Sequence, residues 1–299
     1  MMSNKNLIYI AGPTGIGKTN IAIKVAIALS TEIISCDSRQ FYTEMTIGTA
    51  VPSKKELDLV KHHFIQDRSI NRPHNISTFQ KESTKRIDEI FKNNNNVVMV
   101  GGSGLYADSV LFGIDEFPQI SDSTVNKLYN TYYEEGIEVL QKKLKEKDYQ
   151  TYKSIDLNNH RRLVRVLSVC IDANEKYSTF IGRKKEKKRF DSNIYIVNDD
   201  RKIIYDKINN RVDNMIVSGL EKEAKSLIKY KNSKIFETVG YKEWLPYWNG
   251  KSGKSVIIEN IKKNTRRYAK RQITWIKKYK NATWLKPKEA ILKIIGNHK

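Results

Sequence analysis

An eight-residue loop near the N-terminus places the strongest constraint on how this chain can fold. The segment G-P-T-G-I-G-K-T, from Gly12 to Thr19, follows the apolar run L-I-Y-I-A and precedes a stretch with helical periodicity. It matches the phosphate-binding loop signature at every fixed position, and that signature requires a strand before it and a helix after it. Its glycines let backbone N–H groups face an anion, while Lys18 and the helix N-terminus add positive charge. The loop predicts an α/β domain that binds phosphate or diphosphate.

The order of strand, loop and helix is repeated along the chain. Apolar runs predict buried strands, and periodic segments predict amphipathic helices. The strands are predicted at residues 7–11, 32–36, 97–100 and 194–197, and the helices at 18–29, 77–91 and 255–279. Such alternation is typical of a parallel sheet with helices on its faces. We predict the α/β class, with a P-loop NTPase-like parallel sheet.

The alternation is interrupted in the middle of the chain. From residue 121 to residue 178 only helical signals occur, and the basic run R-K-K-E-K-K-R at 183–189 indicates an exposed loop. We therefore predict an all-helical insertion domain, residues 114–191. The α/β core then consists of residues 1–113 and 192–299.

The charge of the chain indicates a polyanionic partner. Its 54 Lys and Arg residues exceed its 33 Asp and Glu residues, giving a formal net charge of +21. Nucleic acid is the commonest partner of so basic a protein. A lysine-rich proteome encoded by an AT-rich genome explains the same balance, so charge alone does not decide.

The location of the protein follows from what its sequence lacks. No apolar run approaches the ~18 residues that span a bilayer, and the N-terminus has no signal-peptide pattern. Cys36 and Cys170 do not form a metal-binding pattern and are expected to be reduced thiols. We expect a monomeric cytoplasmic protein that contacts no membrane.

One part of the usual phosphoryl-transfer machinery is displaced. Kinases and nucleotide hydrolases of this class hold Mg²⁺ with an Asp at the end of a hydrophobic strand. The strand V-V-M-V ends instead in G-G-S-G, and the displaced candidates are Asp37, Asp199 and Asp200. Because one of these aspartates could hold Mg²⁺, the sequence does not exclude phosphoryl transfer. A diphosphate-binding loop also suits a reaction in which diphosphate leaves carbon, because its donors stabilise the charge on the leaving oxygen.

Asp37 has two interpretations. It follows the second predicted strand, and ligands of open α/β sheets bind at the carboxyl ends of strands. A carboxylate beside the phosphate loop can accept a proton from a nucleophile. A helix N-cap, in which Asp37 or Ser38 binds free backbone N–H groups, explains the position equally well.

Basic and aromatic residues alternate at helical spacing in residues 263–284. A solvated basic face and core packing explain this segment without RNA. Together with seven other motifs, however, it resembles the tRNA dimethylallyltransferases, also called tRNA isopentenyltransferases, of bacterial type. Those motifs are G-P-T-G-I-G-K-T, D-S-R-Q-F-Y, I-G-T-A-V-P, G-G-S-G-L-Y, N-H-R-R-L-V-R-V-L, D-D-R and T-V-G-Y-K-E.

The resemblance implies a reaction and its partners. A dimethylallyl group would pass from dimethylallyl diphosphate to N6 of the adenosine 3′ of the anticodon, with release of diphosphate. The acceptors would be tRNAs that read codons beginning with U, bound through the anticodon stem-loop, and Mg²⁺ would be the cofactor. The helical insertion domain, residues 114–191, would contact the tRNA. The target base would leave its stack to reach the donor.

The resemblance also implies roles for individual residues. Asp37 would be the general base, while Lys18, Thr19 and Arg201 would act on the leaving group, Thr19 also binding the metal. The diphosphate-binding loop would consist of Gly12, Pro13, Thr14, Gly15, Ile16, Gly17, Lys18 and Thr19. The tRNA-binding residues would be Asp37, Ser38, Arg39, Gln40, Ser103, Arg161, Arg162, Leu163, Val164, Arg165, Glu237, Thr238, Val239, Gly240, Tyr241 and Lys242.

Three other functions share parts of this pattern. An adenylate isopentenyltransferase has the same core motifs but prenylates free AMP, ADP or ATP, and it needs no anticodon contact. A small-molecule or nucleoside kinase would transfer the γ-phosphate of ATP and ignore prenyl diphosphates. An RNA-binding ATPase would release phosphate in response to RNA.

Overall fold

The computed structural model describes residues 5–72, 74–182 and 190–299. The predicted basic loop at 183–189 lies outside these residues. The described chain forms two compact units. Unit 1 runs to Leu111 and includes the chain from Phe190 onwards, and unit 2 begins at Phe112 and is described to Gly182. The predicted insertion spanned residues 114–191.

Unit 1 contains a parallel sheet. In the described residues six strands are hydrogen-bonded in the order β3-β2-β4-β1-β5-β6, and every pair is parallel. The strands are β1 (Asn6–Ala11), β2 (Ile33–Ser35), β3 (His62–His63), β4 (Asn96–Val100), β5 (Asp191–Val197) and β6 (Thr283–Leu285). The predicted parallel α/β sheet is therefore confirmed, and the structure adds the short edge strands β3 and β6.

Thirteen α-helices occur within the described ranges. Those that precede unit 2 are α1 (Lys18–Ala28), α2 (Lys54–Leu59), α3 (Ile76–Ile90) and α4 (Gly104–Leu111). Unit 2 holds α5 (Asp122–Glu135), α6 (Ile137–Lys147), α7 (Tyr149–Ser154) and α8 (His160–Asp172). Those that follow it are α9 (Arg201–Val217), α10 (Leu220–Ser226), α11 (Leu245–Trp248), α12 (Lys254–Ile276) and α13 (Pro287–Gly296).

The strand β1 organises the core of unit 1 because its side chains alternate between the two faces of the sheet. Ile8 and Ile10 belong to one buried cluster, which includes residues of α1, α9 and α13. Leu7 and Tyr9 belong to a second cluster, which includes residues of α3 and α4. Burial on both faces accounts for the uninterrupted apolar sequence of this strand.

Unit 2 has its own apolar core. Leucine and valine side chains of α5, α6 and α8 form a single buried cluster, with partly buried tyrosines packed around it. Helix α8 contributes most of the buried residues, and its arginines lie on the opposite, exposed side. This separation is typical of an amphipathic helix whose apolar stripe faces a core.

No helix in the described residues combines the length and the apolar composition that crossing a membrane requires.

The long helix α12 is joined to α4 by a nearly buried carboxylate. Asp108 accepts hydrogen bonds from the indole N–H of Trp275 at 3.1 Å and from the hydroxyl of Tyr279 at 2.8 Å. The ammonium group of Lys278 binds the same carboxylate. These contacts fix the end of α12, the helix that carries several residues of the site described below.

Replacing Asp108 with alanine should destabilise unit 1. The variant removes the acceptor of the buried Tyr279 hydroxyl and of the partly exposed Trp275 N–H, and loss of a buried hydrogen-bond partner costs about 1–3 kcal/mol. Urea unfolding should show a decrease of that size in the free energy of unfolding. Asp58→Ala removes an exposed carboxylate of α2 and should leave this free energy nearly unchanged. Equal effects of the two substitutions would contradict this role of Asp108.

Candidate active site

A cavity of about 630 Å³ opens at the carboxyl ends of the central strands of unit 1. Its walls come from the loop after β1, the segment after β2, the end of β4, residues 48–52, residues 237–240, and helices α9 and α12. The position agrees with the general rule for ligand sites in open α/β sheets, and the volume suits a small molecule.

The phosphate loop forms one end of this cavity. Gly17 has a left-handed backbone (φ 97°) and begins α1 without a side-chain cap, so the first N–H groups of the helix remain available to an anion. Gly12 also has positive φ, and a Cβ atom there would lie 2.3 Å from the carbonyl oxygen of Val197. Close contact with the end of β5 therefore requires glycine at position 12.

Lys18 and Arg211 are two of the cationic residues that line the cavity. The Lys18 ammonium donates a hydrogen bond to the carbonyl oxygen of Pro13 at 2.8 Å. Burial, reinforced by the nearby Arg211, lowers the pKa of Lys18 to about 8. Burial also lowers the pKa of Arg211, while the charge of Asp37 acts against that decrease. Cations that lose solvation in this way favour an anionic ligand between them.

Asp37 stabilises a local turn and faces the cavity. No helix begins in the described residues between β2 and α2, so the interpretation of Asp37 as a helix N-cap is wrong. Its Oδ1 atom accepts hydrogen bonds from the backbone N–H groups of Arg39 at 2.8 Å and Gln40 at 3.3 Å. Its Oδ2 atom accepts none from the residues that the structure describes, and Asp37 lines the cavity. One oxygen therefore fixes the local turn, and the other is available to a ligand.

The structure differs from the sequence-based prediction at Arg201. This residue is the first of α9, is exposed, and stacks over the Tyr205 ring at 5.0 Å instead of lining the cavity. The phosphate loop approaches α9 near Ile208, because a Cβ atom at Gly15 would lie 3.2 Å from that side chain. Seven residues of helix separate Arg201 from Ile208 by about 10 Å along the axis. Arg211 is the arginine of α9 that lines the cavity.

Helix α12 supplies five lining residues that the sequence interpretation missed, and two of them, Gln272 and Tyr268, interact with other parts of the site. The side-chain carbonyl of Gln272 accepts the Thr14 N–H at 2.8 Å, and its amide donates to the Gly102 carbonyl at 3.0 Å. Gln272 thereby joins the phosphate loop to the end of β4. Tyr268 lies one turn earlier, and burial beside Asp37 raises its pKa to about 12. A polar residue on an otherwise apolar helix stripe was the available signal for Gln272.

The predicted tRNA-binding segment after β2 is held by protein contacts. Ser38 donates its backbone N–H to the Ser103 hydroxyl at 3.0 Å, and the two hydroxyls lie 3.1 Å apart. The Arg39 guanidinium donates to the hydroxyl of Thr238 at 2.9 Å and to the carbonyl of Lys234 at 3.1 Å. Arg39 therefore joins the segment after β2 to the segment that leads into residues 237–240.

Only part of the predicted tRNA-binding segment from Glu237 to Lys242 faces the cavity. Glu237, Thr238, Val239 and Gly240 line the cavity. Lys242 is exposed and lies outside the cavity lining. Tyr241 is fully buried in an apolar cluster, so its side chain cannot contact RNA as the prediction implied.

In unit 2 the predicted tRNA-binding segment from Arg161 to Arg165 contains both exposed and buried residues. Arg161, Arg162 and Arg165 are exposed on α8. Leu163 and Val164 are 0% and 2% exposed within the core of unit 2. The prediction of tRNA contact by these two side chains is corrected, because they anchor the helix that presents the arginines.

Comparison with known proteins relates the whole chain to one group of enzymes. The family model described as IPP transferase matches residues 40–279. The tRNA dimethylallyltransferase of Flavobacterium johnsoniae is 47% identical over 287 residues, which cover 94% of this chain and 93% of that protein. The tRNA dimethylallyltransferase 1 of Bacteroides fragilis is 35% identical over 288 residues, which cover 96% of each.

Solved structures agree with this relationship. The full-length tRNA isopentenylpyrophosphate transferase of Bacillus halodurans superposes with a TM-score of 0.71 at 31% identity, covering 98% of this chain and 95% of that one. A eukaryotic dimethylallyltransferase, described as acting on tRNA, gives a TM-score of 0.80 at 25% identity, covering 94% and 74% of the two chains.

Proposed function

Because this chain belongs to the IPP transferase family, as its motifs predicted, we propose that it transfers a dimethylallyl group to tRNA. The donor is dimethylallyl diphosphate. The acceptor is N6 of the adenosine 3′ of the anticodon in tRNAs that read codons beginning with U. The observation that carries this proposal is one cavity that brings together the phosphate loop, Lys18, Arg211 and Asp37, whose Oδ2 atom accepts no hydrogen bond from the described residues.

The donor end of the cavity suits a departing diphosphate. Lys18 and Arg211 line the cavity beside the uncapped N-terminus of α1, so a diphosphate bound there would meet backbone N–H groups and two cationic side chains. As the bond between oxygen and the allylic carbon breaks, negative charge develops on the diphosphate and these fixed donors stabilise it. Positive charge on the allylic carbon is delocalised, so stabilisation of the leaving group is the larger contribution.

The acceptor end of the cavity suits an exocyclic amine. The N6 lone pair of adenine is delocalised into the ring and therefore attacks weakly. Oδ2 of Asp37 accepts the N6 proton while N6 bonds to the allylic carbon, and diphosphate takes the electron pair of the broken bond. The Oδ1 contacts to Arg39 and Gln40 hold the carboxylate in place during this step.

Thr19 is the residue that would hold Mg²⁺. No group of three or more His, Cys, Asp or Glu side chains suited to a metal occurs in the described part of the chain. Mg²⁺ needs few protein ligands when substrate phosphates and water complete its coordination, and Thr19, which carries a hydroxyl, lines the cavity. When bound, the ion would neutralise charge on the diphosphate.

Incubation of the protein with labelled dimethylallyl diphosphate, Mg²⁺ and unmodified tRNA tests the proposal directly. We expect label in the RNA, on the adenosine that follows the anticodon. Unlabelled ATP should not compete as an acceptor, which separates this activity from that of an adenylate isopentenyltransferase. Transfer of the γ-phosphate of ATP without any prenyl transfer would instead identify a kinase.

The pKa of Lys18 predicts how the reaction with dimethylallyl diphosphate depends on pH. In the free enzyme this ammonium loses its proton as pH rises through about 8, and the neutral form binds diphosphate weakly. The kcat/KM for dimethylallyl diphosphate should therefore fall above pH 8. The kcat at saturating donor should fall only at higher pH, because the bound anion favours the charged lysine.

Lys18→Arg is the matched control for this pH dependence. Arginine stays protonated across the range, so the activity that this variant retains should lack the decline near pH 8. Persistence of the same decline in Lys18→Arg would assign it to another group.

A further inference from the structure

A carboxylate outside the cavity binds the loop that forms one of its walls. Glu223 lies on α10, and its Oε2 atom accepts the backbone N–H groups of Thr46 at 3.0 Å and Ile47 at 2.8 Å. Its Oε1 atom accepts the N–H of Gly48 at 2.8 Å. Glu223 forms no ion pair with any described residue, so consecutive backbone dipoles stabilise its charge.

Tyr241 holds both the carboxylate and the loop. Its hydroxyl donates to Oε1 of Glu223 at 2.9 Å. Its ring packs against Gly48 so closely that a Cβ atom at that position would lie 2.6 Å from ring atoms. Since Tyr241 is fully buried, it provides a rigid support for residues 46–50, hereafter the wall loop.

The wall loop is hydrogen-bonded to the residues around Asp37. The carbonyl oxygens of Thr49 and Ala50 both accept from the side-chain amide of Gln40, each at 3.1 Å. The backbone N–H of Gln40 in turn donates to Oδ1 of Asp37 at 3.3 Å. Hydrogen bonds at both ends of the wall loop, joined by its backbone, therefore connect Glu223 through Gln40 to the carboxylate of Asp37.

We propose that Glu223 is a positioning residue that fixes the orientation of Asp37 through the wall loop. The inference rests on the proposed function, in which Asp37 accepts the proton of the attacking amine. Glu223 itself does not line the cavity and touches no reacting atom. The donor-binding groups Lys18 and Arg211 belong to α1 and α9, so loss of Glu223 leaves them in place.

Steady-state kinetics of Glu223→Gln and Glu223→Ala test this role. A misplaced base lowers kcat, and we expect a decrease of about 10- to 100-fold. The KM for dimethylallyl diphosphate should change by less than about threefold, because donor binding is retained. Tyr241→Phe removes one of the four donors to Glu223 and should lower kcat by about fivefold.

Glu221→Gln is the matched control. Glu221 lies on the same helix, pairs with Lys254 at 2.7 Å and does not line the cavity. Its substitution should leave kcat and the donor KM within about twofold of the wild type. If Glu223→Ala fails to fold, Glu223→Gln and Tyr241→Phe still provide the kinetic comparison.

Amide hydrogen exchange gives a readout that does not depend on activity. In Glu223→Gln the amides of residues 46–48 should exchange faster than in the wild type, and so should those of Arg39 and Gln40, which bind Asp37. Faster exchange at 46–48 alone would overturn the proposal, as would unchanged kcat or a parallel loss of kcat and donor affinity. A wild-type protein that transfers no dimethylallyl group would refute the proposed function, while exchange at Arg39 and Gln40 would still decide the coupling.

Discussion

Asp37→Asn should lower kcat for prenyl transfer to tRNA by about 10²–10⁴-fold, the usual contribution of a general base. Asparagine keeps a side-chain oxygen that can accept the N–H groups of Arg39 and Gln40, so the local turn is preserved. It cannot accept the proton of the attacking amine. Single-turnover transfer of label from dimethylallyl diphosphate to saturating tRNA measures the chemical step.

Asp37→Ala separates the two roles of this side chain. It removes both the base and the turn contacts, so it should lose as much activity as Asp37→Asn and some stability in addition. Donor affinity should remain close to that of the wild type in both variants. Rapid transfer by Asp37→Asn would show that another group accepts the proton.

The second large effect distinguishes two arginines of one helix. Arg211→Ala should lower kcat by about 10²–10³-fold, because removal of one donor to a developing oxyanion typically costs that much. Arg201→Ala should change kcat/KM by less than about fivefold, since exposed charges contribute little. Both variants are assayed at saturating tRNA with varied dimethylallyl diphosphate.

Arg211→Lys refines this comparison. Lysine restores the charge without the planar fork of donors, so we expect partial recovery of kcat. If Arg201→Ala proved the more damaging substitution, the sequence-based assignment would be right, and Arg211 would not be the arginine that stabilises the leaving diphosphate.

The helices and strands that could be predicted from sequence are those marked by a local motif or by a periodic pattern within one short segment. The phosphate-loop signature, eight residues long, located β1 and α1. The predicted stripe on α3 is confirmed, because Phe79, Ser83, Ile87 and Ile90 are its buried residues. Such periodic patterns arise because burial selects residue types on one face of an element.

The parts that were missed depend on contacts between distant segments. Arg211 reaches the cavity only because α9 packs beside the phosphate loop, and no local pattern distinguishes it from the other polar residues of that helix. Gln272 stands out as a polar residue in the buried stripe of α12, but its contacts with Thr14 and Gly102 depend on how that helix packs. The strands β3 and β6 are two and three residues long, too short for an alternation to be visible. Burial of Leu163 and Val164 follows from the amphipathic pattern of α8, whereas the resemblance implied tRNA contact for the whole segment from Arg161 to Arg165.

The order of the strands has a consequence for synthesis of the chain. Strand β1 ends at Ala11, and β5, which pairs with it along its whole length, begins only at Asp191. One edge of β1 therefore lacks its partner until the ribosome has made the entire helical unit in between. That unit is built from local contacts and has its own core, so we expect it to fold first, with the central strands closing slowly afterwards.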